Sequence, residues 1–432
     1  MSQVRLQTPE MTMLHRRARA ALALALSLTT VTHALAQGPT PAQPLSAPPS
    51  WAPAVAPKSL SNSVQKGLAF LVRTQLPDGG WGQGEEAAHM RGSMGTRAET
   101  SNVADTCAAL LALVRAGSLP ASGPHAVPVR RGLDYVLGQV ERSDADSLAV
   151  TDVNGTRVQA KLGPYIDTFM ASFVLAEIKG HAGDAALERR LESALAKVLR
   201  KIEKHQRADG GFDNAGWAPV LAQAVAGKSV NRAAQKGAVV SEESRKRFED
   251  YASRQRNTGG AGFSDEGSAG IGLYAAAASV GTLSESANTR ALEKADAQLK
   301  VAAPASMAAP ALVKAKATIE RADQVQSVRD EARGALVSQL DDPAFVAGFG
   351  SNGGEEFLSY MLVSESLVAR GGQEWTRWDE AMTRNLDRVQ NADGSFTGHH
   401  CITGRTFVTS TALLVLTADR AQMPVAAKIG RG

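Results

Sequence analysis

Aromatic residues make up only 5% of this sequence, and cysteine occurs twice in 432 residues. Two cysteines allow at most one disulfide. Five per cent aromatics leaves few flat faces for stacking a sugar or steadying a cation. Strand-like alternation of apolar and polar residues is absent, which argues against a β-sheet. Charge of one sign is scarce too. The net value of +4 is dispersed, and no basic stripe is interleaved with aromatics, so nucleic acid is excluded as a partner. Beyond the first 36 residues no run approaches membrane-spanning length.

The N-terminus reads as an address. His15-Arg16-Arg17-Ala18-Arg19 is basic, Ala20–Val31 is apolar, and Ala34-Leu35-Ala36 has the form of a small-residue cleavage site. Residues 1–36 are therefore expected to be a secretory signal, which places the mature chain in the periplasm or outside the cell. Residues 37–57 are rich in Pro and Ala and are expected to be a spacer without a core. A domain from 58 to 420 and a tail from 421 to 432 complete the division.

From Lys58 onward the chain reads as helix pairs. The first helix of each pair, roughly 58–75, 127–140, 184–206, 241–254, a stretch within 284–340, and 375–390, carries the Lys, Arg and Glu. The second, roughly 101–116, 164–179, 215–231, 268–281, 354–370 and 405–419, is dense in Ala, Leu and Val. Helices apolar nearly all round are buried, and amphipathic ones lie outside them. Six of each predict an all-α (α/α)6 toroid closed by its first and last hairpins. The stretch 284–340 fits least well, and Pro304 and Pro310 are expected to break it into two helices of an elongated or inserted outer pair.

One module recurs along the chain. Lys66–Trp81 is a helix, then the stop Pro77-Asp78-Gly79-Gly80, then Trp81 as an apolar plug. Gln75 at the helix end is placed to bond the last free carbonyls. Gln206–Phe212 and Gln390–Phe396 repeat the Gln-to-aromatic spacing, and Gly262-Phe263 after Gln255 is a fainter echo. Recurrence at such intervals is the mark of a stacked supersecondary unit. These corners resemble the repeat of terpene cyclases of the squalene-hopene type and of protein prenyltransferase β-subunits. The resemblance implies the toroid, a central cavity for an elongated, largely apolar, isoprenoid-like ligand, and, if there is turnover, a transferase or cyclase reaction.

In such a toroid the chemistry sits at the first turns of the inner helices, where helix N-termini favour anions. Asp105, Asp167, Glu355 and Glu356 are the candidate acids, and Asn102, Thr106, Tyr165, Tyr360 and Arg405 the candidate cavity residues. Squalene-hopene-type cyclases carry Asp-x-Asp-Asp-Thr at one such helix start. Here Asn102-Val103-Ala104-Asp105-Thr106 keeps only the last Asp, with Ala104 where the proton donor belongs. Cyclisation of that type is not expected. The prenyltransferase likeness implies a zinc site of Asp-x-Cys plus His, for which Asp105, Cys107, His399 and His400 are the candidates. The plainer expectation, favoured over zinc, is a Cys107–Cys401 disulfide that staples the ring. Gly348-Phe349-Gly350-Ser351-Asn352-Gly353 matches a dinucleotide fingerprint without the strand that should precede it, so a helix-opening turn is expected instead. Two other functions stay open: a non-catalytic binding or scaffold toroid, with protein partners, and a polysaccharide-active enzyme using two of the four acids.

Overall fold

The computed structural model describes residues 49–90, 99–256, 262–302 and 308–429. The signal segment, most of the spacer and Pro304 lie outside the described residues. Fifteen α-helices run in order: α1 (Asn62–Arg73), α2 (Val103–Arg115), α3 (Ala126–Arg142), α4 (Arg157–Leu162), α5 (Ile166–Ile178), α6 (Ala185–His205), α7 (Pro219–Gln235), α8 (Glu242–Arg254), α9 (Gly272–Ala302), α10 (Ala309–Val337), α11 (Pro343–Ala347), α12 (Gly354–Arg370), α13 (Gly372–Val389), α14 (Arg405–Leu416) and α15 (Val425–Ile429). Strands β1 (Trp51–Pro53) and β2 (Gln422–Pro424) form one antiparallel ribbon, with Trp51 opposite Pro424. The described chain is otherwise all-α.

Two sets of helices follow from two sequence patterns. In α5 every residue but Glu177 is buried. By contrast, α6 buries Leu187, Leu191, Leu195, Val198 and Ile202 along one stripe and keeps its charges, Lys201 excepted, exposed or half-exposed. The buried set packs in a fixed order: α2 on α5, α5 on α7, α7 on α9, α9 on α12, α12 on α14, and α14 back on α2. Amphipathic α1, α3, α6, α8 and α13, together with α10, accompany them.

The three corners share one hydrogen-bond design. Gln75 Nε2 donates to Gly79 O at 2.8 Å, Gln206 to Gly210 O at 3.2 Å, and Gln390 to Gly394 O at 2.9 Å. The Asp in each receives the amide two residues on, at Gly80, Gly211 and Ser395. Gly79, Gly210 and Gly394 have φ of +90°, +85° and +87°, and a Cβ on each would lie 2.3–2.6 Å from the carbonyl oxygen of Arg131, Arg247 and Lys66 respectively. Glycine is required there twice over, by the left-handed backbone and by the close approach. Each corner thus seats on the first half of the next amphipathic helix, and the third seats on α1. Gln75 bonds the corner and Pro128 O, not the helix end as expected from sequence; the Trp81 indole takes that role, donating to Leu71 O at 2.7 Å.

Two expectations are corrected. Residues 284–302 belong to the buried helix α9, which continues without a break instead of starting an outer pair. Their polar composition hid this, because Glu285 and Arg290 are buried and satisfied by ion pairs with Lys228 and Glu249. The expected division of this stretch into two helices is present: α9 ends at Ala302 and α10 opens at Ala309, with Pro310 in its first turn, where its missing N–H costs no helical bond. The spacer and the tail are also not structureless throughout. Residues 51–53 and 422–424 pair as the ribbon, and the cations of Arg232 and Lys236 lie over the Trp51 ring at 5.3 and 4.2 Å.

Candidate functional site

The first turns of the buried helices meet, and each acid found there lies under a neighbouring helix start. Asp167 of α5 accepts the Ala104 amide of α2 at 3.0 Å and the Gln159 side chain at 2.6 Å. Asn102 caps α2 by accepting the Asp105 amide at 2.9 Å and donates to Asp105 Oδ2 at 2.7 Å. Glu355 of α12 accepts the Ile402 amide at 3.2 Å, just before α14. Asp167 and Glu355 thus tie one helix start to the next, while Asp105 bonds within the cap of its own helix. Burial without a cation partner raises their affinity for protons: Asp105 is pushed up to about 7, Asp167 to about 6 and Glu355 to about 8, in each case mainly by desolvation. Asp105 Oδ1 and Glu355 Oε1 have no hydrogen-bond partner among the described residues.

The glycine-rich loop before α12 has a different purpose from phosphate binding. A Cβ at Gly350 would lie 2.6 Å from the His400 ring, and one at Gly353 2.5 Å from it. The loop is a clasp around that imidazole. Glu356 fixes it from inside, accepting the amides of Phe349 at 2.9 Å and Gly353 at 3.0 Å as well as the Tyr274 hydroxyl. His400 Nε2 stands 3.3 Å from Glu356 Oε2. The His399 amide donates to Asn352 O, so the loops before α12 and α14 interlock.

Around this clasp lies an aromatic group. Phe349, 56% exposed, meets the rings of Trp217 and His400 edge-on at 5.4 and 5.1 Å, and Trp217 meets Tyr274 at 6.0 Å. The Lys161 ammonium stands 5.3 Å from the Trp217 ring centre, and half-buried Cys401, in left-handed backbone at φ +55°, is beside it. Burial first, then the charge of Glu355, pushes the Cys401 thiol up to about 11, so it is not a nucleophile at neutral pH. Lys161 was not found from sequence. It belongs to α4, a six-residue helix inside what reads as a link, and no periodicity marks it.

The remaining sequence candidates are structural or lie elsewhere. Thr106 receives the Trp81 amide at 2.9 Å and donates to Asn102 O. The Tyr360 hydroxyl donates to Val346 O at 2.8 Å. Arg405 pairs with Glu85 at 3.1 Å and Asp393 at 3.2 Å, so its charge is already engaged. Tyr165 is half-buried at the start of α5 and faces a separate groove. Cys107 and Cys401 are both free thiols, and the expected staple is not formed. Although α2 and α14 abut, Cys107 is sealed among apolar residues with Asp167 as its charged neighbour, whereas Cys401 faces Lys161 and Glu355. Among the described residues no three His, Cys, Asp or Glu side chains are grouped to hold a metal. Asp105 and Cys107 are committed inside α2 while His399 is exposed, so the zinc set does not assemble.

The other end of the same helices is also charged and buried. Glu365 of α12 pairs with Arg115 and Lys228 at 2.7 Å each. Glu285 of α9 pairs with Lys228 at 2.6 Å and Arg232 at 3.1 Å, and Arg232 reaches Glu177 of α5 at 3.3 Å. This belt joins five of the buried helices. A cavity of about 20 Å³ remains between them, room for about one water.

No family model matches this sequence, and no curated protein matches it.

Proposed function

We propose that this chain is an exported (α/α)6 toroid of the terpene-cyclase and prenyltransferase kind, which holds an elongated, largely apolar ligand at one mouth and does not cyclise it. The order of helix packing returns to its starting point and the third corner seats on the first helix; both support a closed ring. The basic, apolar and small-residue segments of residues 1–36 support export. The observation that carries the ligand reading is the aromatic group at the mouth, where Phe349 remains 56% exposed beside Trp217. Covering such a side chain gains about 1.5–3 kcal/mol. The Lys161 ammonium, beside the Trp217 ring, is placed to receive the ligand's polar end. Entry is from this side, because the ion-pair belt occupies the other.

Cyclisation is disfavoured on chemical grounds. Protonating an alkene needs a strong, well-aimed acid. Asp105 at about 7 is a weak one, and the backbone at Ala104 is committed to Asp167. The belt and the carboxylates engaged as helix ties favour a second reading, a scaffold toroid whose interior serves stability alone. Purified protein incubated with a total lipid extract, re-isolated and analysed by mass spectrometry separates the two. Retention of an isoprenoid-like lipid by the wild type, and its loss in Phe349→Asp with an unchanged melting curve, is the expected result. Equal recovery from both proteins, or no retained lipid, removes the ligand reading.

A further inference from the structure

A second opening lies beside the second corner, apart from the mouth. It is a groove of about 620 Å³ whose walls include Tyr165, Arg207, Asp213, Asn214, Tyr251 and Glu266. That volume is in the range of small-molecule sites, roughly 300–1,000 Å³. From this groove we infer a binding site for a short, uncharged oligosaccharide. Two other classes of ligand conflict with the walls. An anion would need a free cation, yet Arg207, the single Lys or Arg of the lining among the described residues, is paired with Asp209 at 2.7 Å and Asp213 at 3.1 Å. It would also face Asp213 and Glu266, both exposed. An apolar ligand would strip water from those carboxylates and return no hydrogen bonds.

A polyhydroxylated ring matches what is there. Tyr165 and Tyr251 are half-buried and offer flat faces, while Asp213 and Glu266 are acceptors for hydroxyl groups. The corner itself keeps the groove open. At Gly211 a Cβ would have only the Arg207 and Asp209 side-chain tips within 3.2 Å, with the Tyr251 ring at 3.6 Å, whereas the equivalent Gly80 is closed in by Ser101 and Tyr135 at 2.7–3.1 Å. The same repeat unit is packed shut at the first corner and open at the second.

Calorimetric titration of the full mature chain with maltohexaose, cellohexaose and chitohexaose tests this. Saturable binding of at least one is expected, weakened tenfold or more by Tyr165→Ala or by Tyr251→Leu at unchanged melting temperature. Should either tyrosine variant fail to fold, Asp213→Ala decides, since that side chain is 89% exposed; it is expected to weaken binding several-fold. No saturable binding of any of the three, unchanged affinity in every folded variant, or tighter binding of a carboxylated oligogalacturonate would overturn the inference.

Discussion

The two ends of the buried helices hold carboxylates of nearly equal burial and opposite character. At the mouth, Asp105, Asp167 and Glu355 are raised to about 7, 6 and 8. At the belt, burial would likewise raise Glu285 and Glu365, but Arg232, Lys228 and Arg115 outweigh it and hold both at about 2. Burial therefore does not decide whether an interior acid is charged; its partners do. Helix polarity supports the same division. Arg115 and Arg232 lie in last turns, where the macrodipole favours cations, and the mouth acids lie in first turns, where it favours anions. At the mouth that favour is too small to offset desolvation.

The sharpest way to break the comparison is to remove a belt acid. Glu365→Gln leaves Arg115 buried with no carboxylate partner among those described, and Lys228 with Glu285 alone. Breaking one side of a buried pair typically costs about 3–5 kcal/mol. Urea unfolding at pH 7 should show a loss of that order. A loss below about 1 kcal/mol, the scale of a solvated surface pair, would mean that water reaches the belt and the comparison fails.

Next in size is Gly394→Ala, which tests the corners and not the charges. The new Cβ would lie 2.4 Å from Lys66 O, with φ at +87°. Strain of this kind costs of order 1–3 kcal/mol. The change should lower the melting temperature while leaving the mouth acids' pH response intact. A variant as stable as the wild type would show that the third corner does not seat on α1.

Those corners were legible because their chemistry is local. Gln, Asp and Gly at fixed offsets dictate a turn, and the turn has the same bonds in all three copies. The helix pairs were legible for a similar reason, since apolar side chains on every face of 166–178 leave only a buried position. Residues 284–290 were misread because period and composition carry no record of pairing across helices. Glu285 looks like a surface residue until Lys228, 57 positions earlier, is brought to 2.6 Å. The clasp around His400 was hidden in the same way. Its glycines resemble a phosphate loop, and only the tertiary contact shows that an imidazole fills the space. Cys107 lies in α2 as expected, but Cys401 lies in the loop before α14 and not on the helix, and the adjacency of α2 and α14 does not fix where a loop side chain points.

The effect that vanishes towards pH 4, and the most direct reading of the comparison, concerns Asp105→Asn. In the folded protein Asp105 holds its proton up to about pH 7; in the unfolded chain it loses it near its ordinary value of 3.8. Between those limits the folded state binds more protons, so its stability falls as pH rises, by up to about 1.4 kcal/mol per pH unit for one such group. Asp167 adds the same sign up to about pH 6, and Glu355 up to about 8. Glu285 and Glu365 act oppositely: their contribution is complete above about 4.5 and is lost as pH falls towards 2. Stability should therefore peak near pH 4–5, where mouth acids are still protonated and belt acids already charged. Asparagine mimics the protonated acid and can still accept from the Asn102 side chain. At pH 4 the variant should unfold at nearly the wild-type urea concentration, and at pH 8 at a higher one. Curves that stay parallel from pH 5 to 8 would mean that Asp105 titrates like a solvated carboxylate. In that case the mouth would be wet, and the division between the two ends would rest on Asp167 and Glu355 alone.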